Sequence, residues 1–498
     1  MKLRLVASLL VVVLCLFVMP VTASANATIY VPDDYSTIQA AVDAAADGDT
    51  IIVRDGSYTE NIDVTKQLII QSEDGADSTT VTAANSDDYI FYVTTDSVTI
   101  SGFTVTGATG EKKAGIYLGD GADHCTISNN TVSNNYYGIH LDASSNNTLQ
   151  NNTCYSNSNE GIFLLSSCNN NTIDNNISYS NGAHGGIFVW KSCNNNTITN
   201  NECHSNLDHG IKLHTSDNNF VANNICSNNE WSGIYLNTSS NNTVENNTCE
   251  GGTGEGDGIM VTSSSENNRL INNICSNWGA GIKVNTSNNN MLIDNICSNN
   301  EWCGIYLVSS NYNIVAENTC SDNEAGIVVR DSSYNRFSNN LILNINVGNI
   351  HGQGIWLEGD SSYNEISWNI ISLNGYGVRV SGKNPIGNKI EQNNIAENTC
   401  SGVTNESSSE VDATLNWWGV QSGPSSAGPG SWWFSRGDTV SDHIVYSPWL
   451  DAPYPDGKPL SESEAPKGIN WWLVIGTAAA IVIIGSLIYF FIRRRKEA

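Results

Sequence analysis

Basic residues are scarce. The chain of 498 residues has 22 Lys and Arg against 50 Asp and Glu, a formal net charge of −28. That balance excludes a nucleic-acid binder, which needs a basic face to neutralise phosphates. Charge of either sign is thin, at 14% of residues, and Asn carries the polarity instead: 69 in all, 63 of them between Asn129 and Asn398. Together with Gly, Ser and Thr these residues favour turns over helix interiors and argue against an α-rich protein. Disorder is excluded too, because 40% of the residues are hydrophobic and they recur at regular intervals.

Long apolar runs are missing from the interior and occur only at the two ends. Met1 to Arg4 is a short basic stretch before an apolar run from Leu5 to Met19, and Ala23-Ser24-Ala25 offers small residues for cleavage. Residues 1–25 are therefore expected to be a secretory signal peptide. Trp471 to Ile492 carries no charge and is followed by Arg493-Arg494-Arg495-Lys496. A transmembrane helix is expected at 469–492, with a cytoplasmic tail at 493–498 and everything before it outside the cell. Removing the end segments leaves 49 acidic against 16 basic residues, a net −33. The Pro, Ser and Glu of 451–468 read as a spacer.

The middle of the chain repeats. Gly-Ile-x-Leu or a close variant recurs from Gly115 to Gly377 at spacings of 22 to 25 residues, with one of 28. A second apolar column holds Ile127, Leu149, Ile173, Ile198 and their successors, and a third follows five residues later with Val132, Cys154, Cys203 and Cys226. Three short strands per unit cannot each bury a face alone, so successive units must stack. The expected fold is all-β: a right-handed parallel β-helix, a single solenoid of about fifteen turns of ~23 residues, rising about 4.8 Å per turn. Asn130, Asn152, Asn176, Asn201 and their equivalents form one turn column, where stacked amides can hydrogen-bond along the axis and Asn tolerates left-handed backbone.

These units, with their Asn-Asn-Thr-Ile and Gly-Ile-x-Leu signatures, resemble the NosD-type repeats, also called carbohydrate-binding and sugar-hydrolase repeats, of the pectate-lyase-like superfamily. The resemblance extends to Tyr35-Ser36-Thr37-Ile38-Gln39-Ala40-Ala41-Val42 before Gly48-Asp49-Thr50-Ile51, and to Asn416-Trp417-Trp418-Gly419 near the close. It implies an N-terminal capping helix within 26–110, regular turns over 111–405 and a terminating module at 406–450. Proteins of this type are common on archaeal cell surfaces. The resemblance also carries a copper association, but the chain has four Met, two of them in the leader, and eight scattered His. No cofactor is expected, with calcium needed only by a lyase.

Twelve Cys lie beyond the leader. Those of the third column point into the core and are expected to be buried thiols, while Cys168 and Cys193 are the pair best placed for a disulfide. Outward positions of the Gly-Ile-x-Leu strand carry Phe163, Phe188, Trp190, Lys212, Tyr235, Tyr306 and Trp356. A row of exposed aromatics with cations between them suits stacking on sugar rings and hydrogen-bonding of their hydroxyls or carboxylates. Aromatics also pair well on any sheet surface, so the row is equally compatible with a plain structural rod. A lyase or hydrolase acting on acidic glycans would draw on Asp142, Glu160, Asp208 and Lys212. The leading expectation is a membrane-anchored extracellular rod with a structural or glycan-binding, adhesive role in the cell envelope. Asn146, Asn170, Asn195, Asn237, Asn241, Asn285 and Asn405 head sequons expected to face solvent and accept glycan, whereas Asn176 should be sealed in its column.

Overall fold

The computed structural model describes residues 26–252, 256–345, 352–426 and 437–461. Its strands stack into three parallel ladders of 18, 15 and 17 members, which wind as a solenoid of about 16 turns. Each turn takes one strand from each ladder in order: Thr126–Ser128, Thr131–Ser133 and Tyr137–Asp142, then Thr148–Gln150 one turn on. Register is kept throughout, with Ile127 opposite Leu149, Val132 opposite Cys154 and Ile139 opposite Ile162. All six side chains are fully buried. Alternation on three short strands thus fills one continuous core.

Glycine opens the third-ladder strands of the regular repeats because the turn above leaves no room for a side chain. A Cβ at Gly233 would stand 2.7 Å from the Gly258 carbonyl oxygen and 2.8 Å from Cys249 Sγ. The same crowding recurs at Gly258, Gly281 and Gly304.

The expected Asn column is a hydrogen-bonded ladder. Asn152 Nδ2 donates to Asn176 Oδ1 (3.0 Å) and to the Ile127 carbonyl (2.8 Å), and its Oδ1 accepts from the Asn130 N–H. Two further ladders run beside it, one through Asn147, Asn171 and Asn196 and another through Asn135, Asn157 and Asn181. The left-handed residue is not the ladder Asn but the one before it: Asn129, Asn151 and Asn246 have φ of 57°, 58° and 56°. That division is physical, since the laddered amide must point inward while its predecessor turns the chain outward.

A helix, Ile38–Ala44, closes the N-terminal end. Thr37 caps it, Glu60 accepts from the Ile38 and Gln39 amides, and Lys66 Nζ reaches the Val42, Asp43 and Ala45 carbonyls at its other end. The structure corrects the expectation of a transmembrane helix. Among the described residues no helix is long and apolar enough to cross a membrane. The helix Ile38–Ala44 has seven residues, about a third of the ~20 needed to span, and Asn, Gly and Ser turns interrupt the rest of the described chain every few residues. Residues 1–25 and 469–492 lie outside the described residues. The start of the anticipated spacer also folds back: Tyr454 exchanges two hydrogen bonds with the Asn394 side chain, and Trp449–Leu450 pairs with Pro459–Leu460.

The third-column thiols are core residues, stacked without interruption from Cys203 through Cys226, Cys249, Cys275 and Cys297 to Cys320. Native alkylation is expected to miss Cys226, Cys249 and Cys275, and unfolding to expose all three. Labelling of folded protein at these positions would contradict the packing. Cys168 and Cys193 are not a disulfide. They replace serine in a turn ladder: the Cys168 N–H donates to Cys193 Sγ at 3.2 Å, as the Ser216 N–H does to Ser239 Oγ at 3.1 Å. Each thiol donates in turn to a carbonyl, Leu165 and Trp190 respectively.

Candidate functional site

The third ladder presents the longest strands, and its outward residues stack turn upon turn. At the lower end they close on one another. The Phe163 ring lies 4.8 Å from His140 and 5.3 Å from Phe188, nearly parallel to both. Phe163 and Phe188 are consequently only 3% and 4% exposed, and Tyr306, covered by Trp302 and Arg330, is 5% exposed. These three do not form the open sugar-stacking row anticipated from alternation. Trp356 lies six turns above Lys212, with Nε1 donating to Ser381 Oγ at 2.8 Å and Arg379 over its ring.

Where the stack breaks, a cleft of about 420 Å³ opens. It is walled by Trp190, Trp231 and Tyr235 and floored by Asp208, His209 and Lys212, with His184 and His214 at its sides. Trp231 is 58% exposed. It stands on a turn rather than on the strand pattern, although a Trp in an Asn-rich turn is itself a visible signal.

The polar floor is tightly paired. Asp208 Oδ2 is 3.1 Å from Lys212 Nζ, its Oδ1 is 3.3 Å from His209 Nε2, and His184 Nδ1 stands at 3.8 Å. His209 Nδ1 accepts the Ser232 amide at 3.1 Å, which places its proton on Nε2, facing Asp208. Burial pushes the Asp208 carboxyl up, but His184, His209 and Lys212 outweigh it and hold it at about 2. Burial lowers His209 to about 3 despite Asp208, so the imidazole is neutral. The same cause lowers His214. The His209 ring stacks on Tyr235 at 4.3 Å, and Lys212 lies over Phe188 and Tyr235.

The four carboxylate and cation positions singled out from sequence do not all come together. Asp208 and Lys212 share the cleft. Asp142 and Glu160 sit on neighbouring turns but far apart along the strand, since Asp142 aligns with Leu165, five residues beyond Glu160 and about 16 Å away at 3.3 Å per residue. That exceeds the ~10 Å limit for carboxylates that act as a pair. Glu160 is 1% exposed, its Oε2 has no partner, and burial raises its carboxyl to about 7. Asp142 faces the Tyr117 hydroxyl at 3.5 Å.

Of the sequon residues, Asn146, Asn170, Asn195 and Asn241 are exposed at left-handed turns, while Asn237 and Asn285 are half-buried at strand ends. Asn405 does not face solvent. It is 7% exposed, and its Nδ2 donates to the Ser409 and His443 carbonyls, because the chain beyond it folds back over the rod. Asn176 is sealed in its ladder as expected.

Three ladders wound into one solenoid, with an aromatic-walled cleft on the outer face, define a parallel β-helix protein. Residues 68–196 and 114–275 match the family described as right handed beta helix region, and residues 253–424 match the periplasmic copper-binding protein (NosD) family. Together these matches span residues 68–424 and support a NosD-type β-helix repeat protein. It is 37% identical over 112 residues to a cell surface glycoprotein of Methanothermus fervidus, a stretch covering 21% of this chain and 18% of that one. Similar solved structures include the catalytic unit of a GH87 alpha-1,3-glucanase from Streptomyces thermodiastaticus (14% identity, 86% of this chain and 67% of that one, TM-score 0.43). The mannuronan C-5 epimerase AlgE4 A-module of Azotobacter vinelandii (16%, 73% and 95%, 0.35) and the Dettilon tailspike protein (16%, 76% and 68%, 0.40) are others. All three scores fall below 0.5. Among the described residues no group of three or more His, Cys, Asp or Glu side chains is placed to hold a metal ion.

Proposed function

We propose that this is an extracellular surface protein whose β-helix is a rigid rod and whose cleft at Trp231 binds a glycan. The observation that supports this most is the cleft itself: two tryptophans and a tyrosine around the half-buried Asp208–Lys212 pair. Aromatic faces suit the C–H face of a sugar, and a fixed carboxylate and ammonium suit its hydroxyls. The cell-surface relative agrees with the location. Trp231→Ala is expected to weaken glycan binding by about tenfold or more while leaving the circular dichroism unchanged, because the ring is largely outside the core. Equal affinity in variant and parent would remove the cleft from consideration.

Glycan attachment belongs to the same proposal. Asn146, Asn170, Asn195 and Asn241 are the expected acceptors, and glycopeptide mass spectrometry of natively produced protein should find Asn176 and Asn405 bare. Asn237 lines the cleft, so modification there would compete with the ligand.

A further inference from the structure

Resting on the glycan reading, we infer that the cleft and the face above it select an uncharged glycan and discriminate against an acidic one. The reason lies in how the cations of this face are held. Lys212 lies 3.1 Å from Asp208, and above it Lys283 lies 3.6 Å from Asp257, Arg330 2.7 Å from Glu358 and Arg379 2.9 Å from Glu406. Each outward cation of the ladder from Lys212 upward has its own carboxylate. A sugar carboxylate entering the cleft would therefore have to displace Asp208 from Lys212, leaving a half-buried Asp208 without its ammonium partner.

Vicinal hydroxyls make no such demand. One can donate to Asp208 and its neighbour accept from Lys212 while the pair stays intact, in the manner of a neutral bidentate ligand. Burial holds His209 neutral and lowers His214. The exposed Lys191 stands outside the cleft lining, with its ammonium 4.3 Å over the Trp190 ring. Beyond the cleft the whole chain carries a formal −28, a field that repels polyanions on approach.

The test is titration of the full chain with neutral hexasaccharides of glucose, mannose and xylose beside hexagalacturonate and a hyaluronate hexasaccharide. Binding to at least one neutral ligand is expected, changing less than about twofold between about 50 and 500 mM NaCl, since no ion pair forms across the interface. Asp208→Asn should weaken that binding and create affinity for hexagalacturonate, because Lys212 is then uncompensated. Preferential binding of the acidic hexasaccharides, falling steeply with salt and abolished by Lys212→Met, would overturn the selectivity while leaving the glycan reading standing. Absence of binding to every member of the panel would overturn both.

Discussion

Asn247→Ala is expected to lower the stability of the mid-rod by about 3–5 kcal/mol, a large effect for the truncation of one polar side chain. The side chain makes four hydrogen bonds. Its Oδ1 accepts from the Asn224 N–H (2.9 Å) and Asn224 Nδ2 (3.0 Å), and its Nδ2 donates to the Val221 carbonyl (2.9 Å) and Asn273 Oδ1 (3.0 Å). Truncation strands a backbone donor and removes a carbonyl's partner in a place water does not reach. Asn247→Asp should be worse, since a carboxylate cannot donate to Val221 and would bury a charge. Asn170→Ala, on an exposed left-handed turn, should cost about 1 kcal/mol or less, the loss of a modest conformational preference. Urea unfolding followed by hydrogen exchange would check the ranking. Because stability in a stacked-repeat protein is carried by neighbouring turns, lost protection should centre on the turns flanking Asn247. Similar costs at Asn247 and Asn170 would show that the ladder is decoration.

The second large effect depends on pH. Burial raises Glu160 from 4.5 to about 7, and its Oε2 has no partner. Between those values the unfolded chain has released the proton while the folded chain still binds it, so stability falls as pH rises through this window. Glu160→Gln removes that loss. The variant should match the parent near pH 4 and exceed it by about 2–3 kcal/mol at pH 8. His140 acts in the opposite sense. Burial lowers it from 6.5 to about 3, and neither ring nitrogen has a partner. The unfolded chain there binds a proton the folded chain refuses, and stability is lost as pH falls from 6.5 toward 3. His140→Phe, continuing the ring stack to Phe163, should flatten that limb. Parallel stability–pH curves for parent and both variants would refute the assignment.

The repeat of Gly-Ile-x-Leu and Asn-Asn-Thr was enough to determine a parallel solenoid and its inward columns, while the capping helix followed from the family resemblance of Tyr35 to Val42. The solenoid and its columns depend on each strand's own alternation and on a period that returns Ile127 over Leu149. It was also enough to place the stacked thiols in the core and Asn176 out of reach, since both belong to inward columns. The second and third Asn ladders were legible as well, in the Asn-Asn pairs that precede strands, but reading one column as the turn motif hid the others.

What alternation cannot state is what the neighbouring turn lays over an outward side chain. Phe163 and Phe188 leave the strand on the outer side and are still buried, because rings on successive turns cover each other's faces. Cys168 and Cys193 stack closely enough to suggest a bond, yet each sulfur is engaged by backbone as serine would be. Asp142 and Glu160 are near in turn number and distant along the strand. The transmembrane helix was expected from an apolar run and the basic residues after it, a stretch that lies outside the described residues, while no described helix is long and apolar enough to span. The cleft exists because the aromatic stack stops at Trp190 and a turn residue, Trp231, stands clear of it. Only the lateral packing of one turn on the next decides where such a gap falls.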